Sequence, residues 1–291
     1  MEQGESQRPC GRSPSGCAST LNVSKPSFSA AVSAALLTAD PRAKTMAARD
    51  AARDWRLGRL DFTFDTPMPK RPAWPDKPEL LDPRDMPRRG KGGSAKGRIA
   101  LWHALAHIEF VAIDLALDMA GRFGEQMGRD FVSDFMAVAA DEAMHFAILD
   151  RKLRQLGSYY GALPAHAGLW ETAERTSHDV AARLAIVPMV LEARGLDVTP
   201  ATLERVRAQG DENGAKILAR ILDDEIRHVA IGTKHFIAYC TESTQSPGDS
   251  PQKRWKSLVQ EHFRGGLKAP FNDSARLAAG LSRDFYDSLA S

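Results

Sequence analysis

The sequence writes Asp-Glu-x-x-His twice, as DEAMH at 141–145 and as DEIRH at 224–228, each time inside a long apolar-periodic segment. Three steps along an α-helix fall only about 60° short of a full turn, so residues three apart share a face. Glu142 and His145 therefore project together, and so do Glu225 and His228. An oxygen and a nitrogen donor on one helical face make half of a metal site. Upstream of each copy stands a glutamate in otherwise apolar surroundings, Glu109 in LAHIEFVAI and Glu192 in IVPMVLEARGL. The interval from Glu109 to Glu142 is 33 residues, as is that from Glu192 to Glu225. Such an interval suits an antiparallel helical hairpin, with Glu109 facing Glu142 and Glu192 facing Glu225.

Four carboxylates buried without partners would each cost several kcal/mol, so a core that holds them needs cations. Two divalent metals supply that charge. Four carboxylates and two imidazoles match the ligand set of ferritin-like dinuclear proteins: one Glu from each of two helices, Glu-x-x-His from each of the others. Hard oxygen donors with imidazole suit two iron ions, or manganese as the alternative. The repeated aspartate adds a supporting layer, because metal-bound histidines commonly donate their remaining N–H to a carboxylate. Asp141 and Asp224 are the candidates; similarity to related di-iron enzymes implies that each serves the histidine of the opposite helix.

The rest of the chain is consistent with an all-α class, since no segment sustains strand alternation. Residues 1–25, rich in Ser, Gly and Pro, predict a disordered tail. Residues 26–97 predict two short accessory helices followed by a Pro/Gly-rich segment that wraps the core in extended form. Residues 98–240 predict the metal-binding bundle. Its helices are expected over 98–121, ending near GRFG, over 129–156, from about 171 to ARGLD, and through DDEIRHV, with TLERVRAQ as the approach to the last. Residues 241–291 predict a loop and one short helix packed on the bundle. A formal charge of +2 gives no global basic field to recruit nucleic acid or anionic membrane. The apolar tract 99–120 carries His103, His107, Glu109, Asp114 and Asp118, too polar for a lipid span. With three scattered cysteines and no secretory pattern, a cytoplasmic protein is expected.

Over roughly residues 98–240 the chain resembles the ferritin-like di-iron superfamily. More narrowly, HIEFVAIDLALD, DEAMHF, YGALPAHAGLWE, LEARGLD, DDEIRHV and PFNDSARLAAG resemble a bacterial ferritin-like family known only as a domain of unknown function. The resemblance implies that Glu109, Glu142, His145, Glu192, Glu225 and His228 are the metal ligands. It also implies a ferritin-like four-helix bundle with a long crossover, closer to oxidases, oxygenases, rubrerythrins and manganese catalases than to iron-storage ferritins. The expected function is a non-haem di-iron oxidase or oxygenase that acts with O2 on a small organic substrate, its electron donor unidentified. The alternatives are manganese catalase or peroxidase chemistry and a non-catalytic metal-binding helical protein.

Other residues have bland readings beside sharp ones. His103 and His107 suit core or capping roles better than a second metal site, and His235 could extend the first. Tyr159, Tyr160 and Trp170 either pack or line a substrate wall, as do Ala106, Ile113, Phe135, Val138 and Met189. Pro188, one turn before Glu192, removes a helical hydrogen bond and predicts a bend beside the ligands. Arg84, Arg88, Arg89, Lys91, Lys96 and Arg98 form a basic run that reads as solvated linker rather than a tRNA-binding strip. The N-terminal helices are a candidate homodimer contact.

Overall fold

The computed structural model describes Met1 and residues 25–87, 93–242 and 250–289. The expected tail, with Cys10 and Cys17, falls almost wholly outside the described residues, as do Arg88, Arg89 and Lys91 of the basic run. The described chain is all-helical, with two isolated β-bridges and no strand among the described residues.

Local capping chemistry sets most helix starts. α1 (Phe28–Leu36) follows Ser27, whose side chain accepts from the Ala30 N–H, and α2 (Pro41–Arg56) follows Asp40, which accepts from Ala43 with proline in the first turn. α3 (Ala95–Met127) starts after Ser94, which accepts from Gly97. α4 (Arg129–Gln155) folds back along α3 after the single residue Gly128, whose φ of 89° is left-handed backbone suited to glycine. α3 thus runs past the GRFG expected to end it. Gly121 and Gly124 are close-approach notches: an added Cβ would lie 2.3 Å from Met68 Sδ at the first and 2.5 Å from Val132 Cγ2 at the second.

After α5 (Gly168–Glu174), α6 (Val180–Ile186) passes through a wide π-helical segment, Val187–Glu192, into α7 (Ala193–Ala208). Pro188 lacks the N–H that an i→i−4 ladder requires, and the wider register accommodates it. The expected end at ARGLD is corrected, and TLERVRAQ closes the third helix instead of leading into the fourth. Pro200 should interrupt α7 by orphaning the Leu196 carbonyl, but Asn272 Nδ2 donates to that carbonyl at 3.1 Å. Arg276 completes the anchor with a bidentate ion pair to Asp197, at 2.8 and 2.7 Å.

α8 (Glu212–Glu242) packs along the third helix and against α4. The C-terminal segment holds α9 (Pro251–His262), α10 (Asp273–Ala278) and α11 (Arg283–Tyr286), more than the one helix expected. Residues 57–87 wrap the core in extended form, held where Leu81 donates to the Ala165 carbonyl and Ala165 to that of Glu79. Among the described residues α3 alone is long and apolar enough to cross a membrane by length and composition, and 67% of its apolar window is buried inside the fold.

The polar groups of α3 have partners the sequence did not disclose. Lys44 of α2 donates to Asp114 at 2.5 Å with both side chains fully buried, and Trp74 Nε1 donates to the same carboxylate at 2.7 Å. Asp118 is held by Arg183 and Arg122. His103 and His107 take up the crossover: His103 Nε2 accepts from Gly161 N–H at 3.0 Å, and His107 meets Tyr160 Oη at 2.9 Å.

Candidate metal centre

Four helical segments carry the six predicted residues, of which Glu109, Glu142, His145, Glu225 and His228 are in mutual contact and Glu192 is coupled to them electrostatically. α3 supplies Glu109 and α4 supplies Glu142 and His145. The end of the π segment supplies Glu192, and α8 supplies Glu225 and His228. One donor atom each from Glu109, Glu142, His145 and Glu225 lie within 4.8 Å of one another, and all four residues are buried. His145 Nδ1 stands 3.3 Å from Glu142 Oε2, 3.4 Å from Glu109 Oε2 and 3.9 Å from Glu225 Oε1. His228 Nδ1 stands 2.9 Å from Glu142 Oε1 and 3.7 Å from Glu225 Oε1. Glu142 and Glu225 therefore each lie between the two imidazoles.

The outer nitrogens have the crossed arrangement expected from the doubled aspartate. His145 Nε2 lies 3.2 Å from Asp224 Oδ2, and His228 Nε2 lies 3.3 Å from Asp141 Oδ2. Despite burial, Arg220 and His145 hold Asp224 below the usual carboxylate range, and His228 and Arg227 do the same for Asp141. An ionised carboxylate can only accept, so each Nε2 carries the proton and donates it outward. In the neutral ring this leaves the Nδ1 lone pair pointing inward among the glutamates.

The electrostatics show a cluster short of cations. Burial lifts Glu109 well above its ordinary value, with Glu142 adding to the rise, and lifts Glu192 to about 8, reinforced by Glu225 and Glu142. Glu225 rises for the same reasons. By surface area Glu192 is half-buried, but its carboxyl group is enclosed by protein. Burial opposes protonation of His145, yet Glu109 and Glu142 override it and raise the imidazole to about 11. His228 is raised well above its ordinary value against the same opposition, chiefly by Glu142 and Asp141. Glu142 Oε1 and His228 Nδ1 are buried without a hydrogen bond although they stand 2.9 Å apart. Two adjacent orphaned donor atoms of this chemistry fit a metal ion better than they fit each other.

Three contributors escaped sequence reasoning. Arg227 Nη2 donates to both aspartates, to Asp141 at 2.7 Å and Asp224 at 3.1 Å, so one guanidinium ties the two histidine supports together. Arg220 donates to Asp224 at 2.6 Å, an i,i+4 pair legible in RILDDE had it been sought. Gly232 packs directly on the Pro188 ring, setting α8 against the π segment one turn from His228 and Glu192.

The remaining expectations fall outside the cluster. His235 bonds Asp134 at 2.8 Å, away from the glutamates. Ala106, Ile113, Phe135, Val138 and Met189 are packed in the apolar core, as is Trp170, while Tyr159 is exposed. Arg84 pairs with Asp82 in solvent.

A family model described as "Protein of unknown function (DUF455)" matches residues 37–287, and the chain belongs to that family. A protein of Haemophilus influenzae described as uncharacterized is 39% identical over 267 residues, covering 88% of this chain and 91% of that relative. No solved structure matches.

Proposed function

We propose that this member of the DUF455 family is a ferritin-like dinuclear metal protein, and specifically a non-haem di-iron oxidase or oxygenase acting with O2 on a small organic substrate. Glu109, Glu142, His145, Glu192, Glu225 and His228 would hold the two ions. One observation carries the reading: two buried imidazoles turn Nδ1 toward Glu142 and Glu225, with Glu109 beside one of them, while aspartates from the opposite helices take their Nε2 protons. A structural core has no use for four enclosed carboxylates at one level, whereas a pair of divalent ions neutralises them. When bound, two iron ions supply the electrons and the open coordination that O2 activation needs.

The residues themselves do the positioning. Asp141 and Asp224 fix the histidine tautomers, Arg227 and Arg220 keep those aspartates ionised, and the apolar packing of α3 and α4 excludes bulk water. Glu142 and Glu225, each placed between the imidazoles, would share in holding the ions with the other four residues.

The test is elemental analysis of chain purified without chelator or affinity nickel, together with optical spectra taken under anaerobic conditions and in air. About two iron per chain, with a ferric band that appears in air and is lost in Glu142→Ala, supports the reading. About two manganese redirects it to peroxide chemistry. No bound metal, and stability unchanged by added iron or manganese, refutes the assignment.

A further inference from the structure

A groove lies away from the apolar core, between α2 and α4, with a volume of about 750 Å³. That volume falls within the range of small-molecule pockets, roughly 300–1,000 Å³. Its α2 wall is a single helical stripe, Met46, Arg49, Arg53 and Arg56, spaced by three or four residues. Its α4 wall includes Arg129, Met136, Met144 and Asp141.

Four arginines thus face two acidic side chains, Asp50 and Asp141, and both acids already have partners. Asp50 pairs with Arg53 at 3.1 Å, and Asp141 pairs with Arg227 at 2.7 Å. Arg49 and Arg56 are exposed and have no ion-pair partner among the described residues. The Arg129 guanidinium is held over the rings of Phe62 and Trp55, at 4.8 and 5.5 Å from their centroids, so one cation of the groove is ordered in advance. Between these charges the lining is apolar: Met46, 51% exposed, lies across from Met144, Ala137 and Ala140. A solvated helix face requires neither a concave shape nor methionines among its arginines. Guanidinium groups match carboxylate and phosphate oxygens in pairs, and adaptable methionines suit an alkyl or other apolar body.

We propose that the α2–α4 groove binds a small amphipathic anion, its carboxylate or phosphate head on Arg49 and Arg56 and its apolar body along Met46 and Met144. The inference does not rest on the metal reading, although the groove shares Asp141 with the support of His228.

The experiment is calorimetric titration of the full chain, as purified, with octyl phosphate, octanoate, inorganic phosphate and uncharged octyl glucoside, all below micelle concentration. Saturable one-to-one binding is expected for octyl phosphate or octanoate, at least tenfold tighter than for inorganic phosphate or octyl glucoside. The better of the two names the head group. Arg49→Glu with Arg56→Glu should weaken that binding at least tenfold, and so should Ala137→Trp, which fills the groove from an exposed position. Lys216→Glu with Arg264→Glu, an equal charge change at exposed sites elsewhere, should leave it unchanged. Equal loss in that control, binding of inorganic phosphate as tight as that of octyl phosphate, or no saturable binding overturns the proposal. So does a fall from dimer to monomer in the Arg49/Arg56 variant, which would assign the groove to a second copy of the chain.

Discussion

Replacing Gly232 with alanine tests whether the contact between Pro188 and α8 sets the geometry of the candidate centre. The new methyl carbon would stand 2.3 Å from both Cβ and Cγ of Pro188. Carbon atoms in contact prefer about 3.5–4.0 Å, so the helices must part by about 1 Å or more. The proline ring cannot rotate aside as a flexible chain would. Two opposing effects are then expected on stability. Alanine in a helix interior gains about 1 kcal/mol over glycine, while overpacking a rigid contact costs about 1–3 kcal/mol. Gly195 provides the matched control, since it lies on α7 with nothing within 4 Å of an added Cβ. Gly195→Ala should stabilise by about 1 kcal/mol and Gly232→Ala should be neutral or destabilising, which separates the two by about 1–3 kcal/mol in urea unfolding. Metal titration gives a second, independent readout. Glu192 sits one turn from Pro188 and His228 one turn from Gly232, so the separation enters the site directly. Gly232→Ala should lose at least about tenfold in affinity for one of two bound metals, within the range seen when metal ligands are misoriented. If both variants gain the same stability and bind two ions with unchanged affinity, the contact carries no positional role and the reasoning fails.

Metal uptake should release protons, because Glu192 is raised to about 8 and His145 to about 11 when protons are the only counter-charge. Affinity should then rise with pH, by about tenfold per unit for each proton displaced, and uptake that is flat between pH 6 and 8 would contradict this. Asp224→Ala frees His145 Nε2 and should weaken metal binding by about 10–100-fold with little change in helix content, as read by competition with a chelator and circular dichroism. Arg227→Ala loosens both aspartates and should broaden the optical or magnetic spectrum of the loaded protein; an unchanged spectrum would remove Arg227 from the site. Lys44→Met strands Asp114 in the core and should cost about 3–5 kcal/mol, with Asp114→Asn in the same chain restoring much of the loss. A single variant as stable as the parent would show that Trp74 alone satisfies Asp114.

Much of the buried Glu/His cluster was legible because it depends on spacing, and spacing survives in one dimension. Equal 33-residue intervals and two Glu-x-x-His repeats anticipate the grouping of Glu109, Glu142, His145 and Glu225. The repeat singled out Asp141 and Asp224, and their crossed pairing was implied by the resemblance to di-iron enzymes. What sequence reasoning missed depends on partners distant in the chain. ARGLD read as the end of the third helix, whereas the helix runs on through Pro200, whose remedy, Asn272, lies 72 residues away. GRFG read as a stop, because Met68 and Val132 fill its notches only in the folded state. Lys44 gave no sign of burial, since its counter-ion stands on another helix. Arg227 falls where the first repeat has Met144, so the departure from symmetry concealed its function.

The exchange of aspartates between α4 and α8 makes each half of the repeat unfit to stand alone. A detached α3–α4 hairpin would carry Glu109, Glu142 and His145, but His145 would have no anchor for its outer nitrogen, and Asp141 would have no imidazole to hold. The same is true of the second hairpin. If the proposed metal reading holds, full-strength capture would be reserved for a chain whose two hairpins have docked in register, and docking and loading would form one cooperative event with the crossed carboxylates as its check.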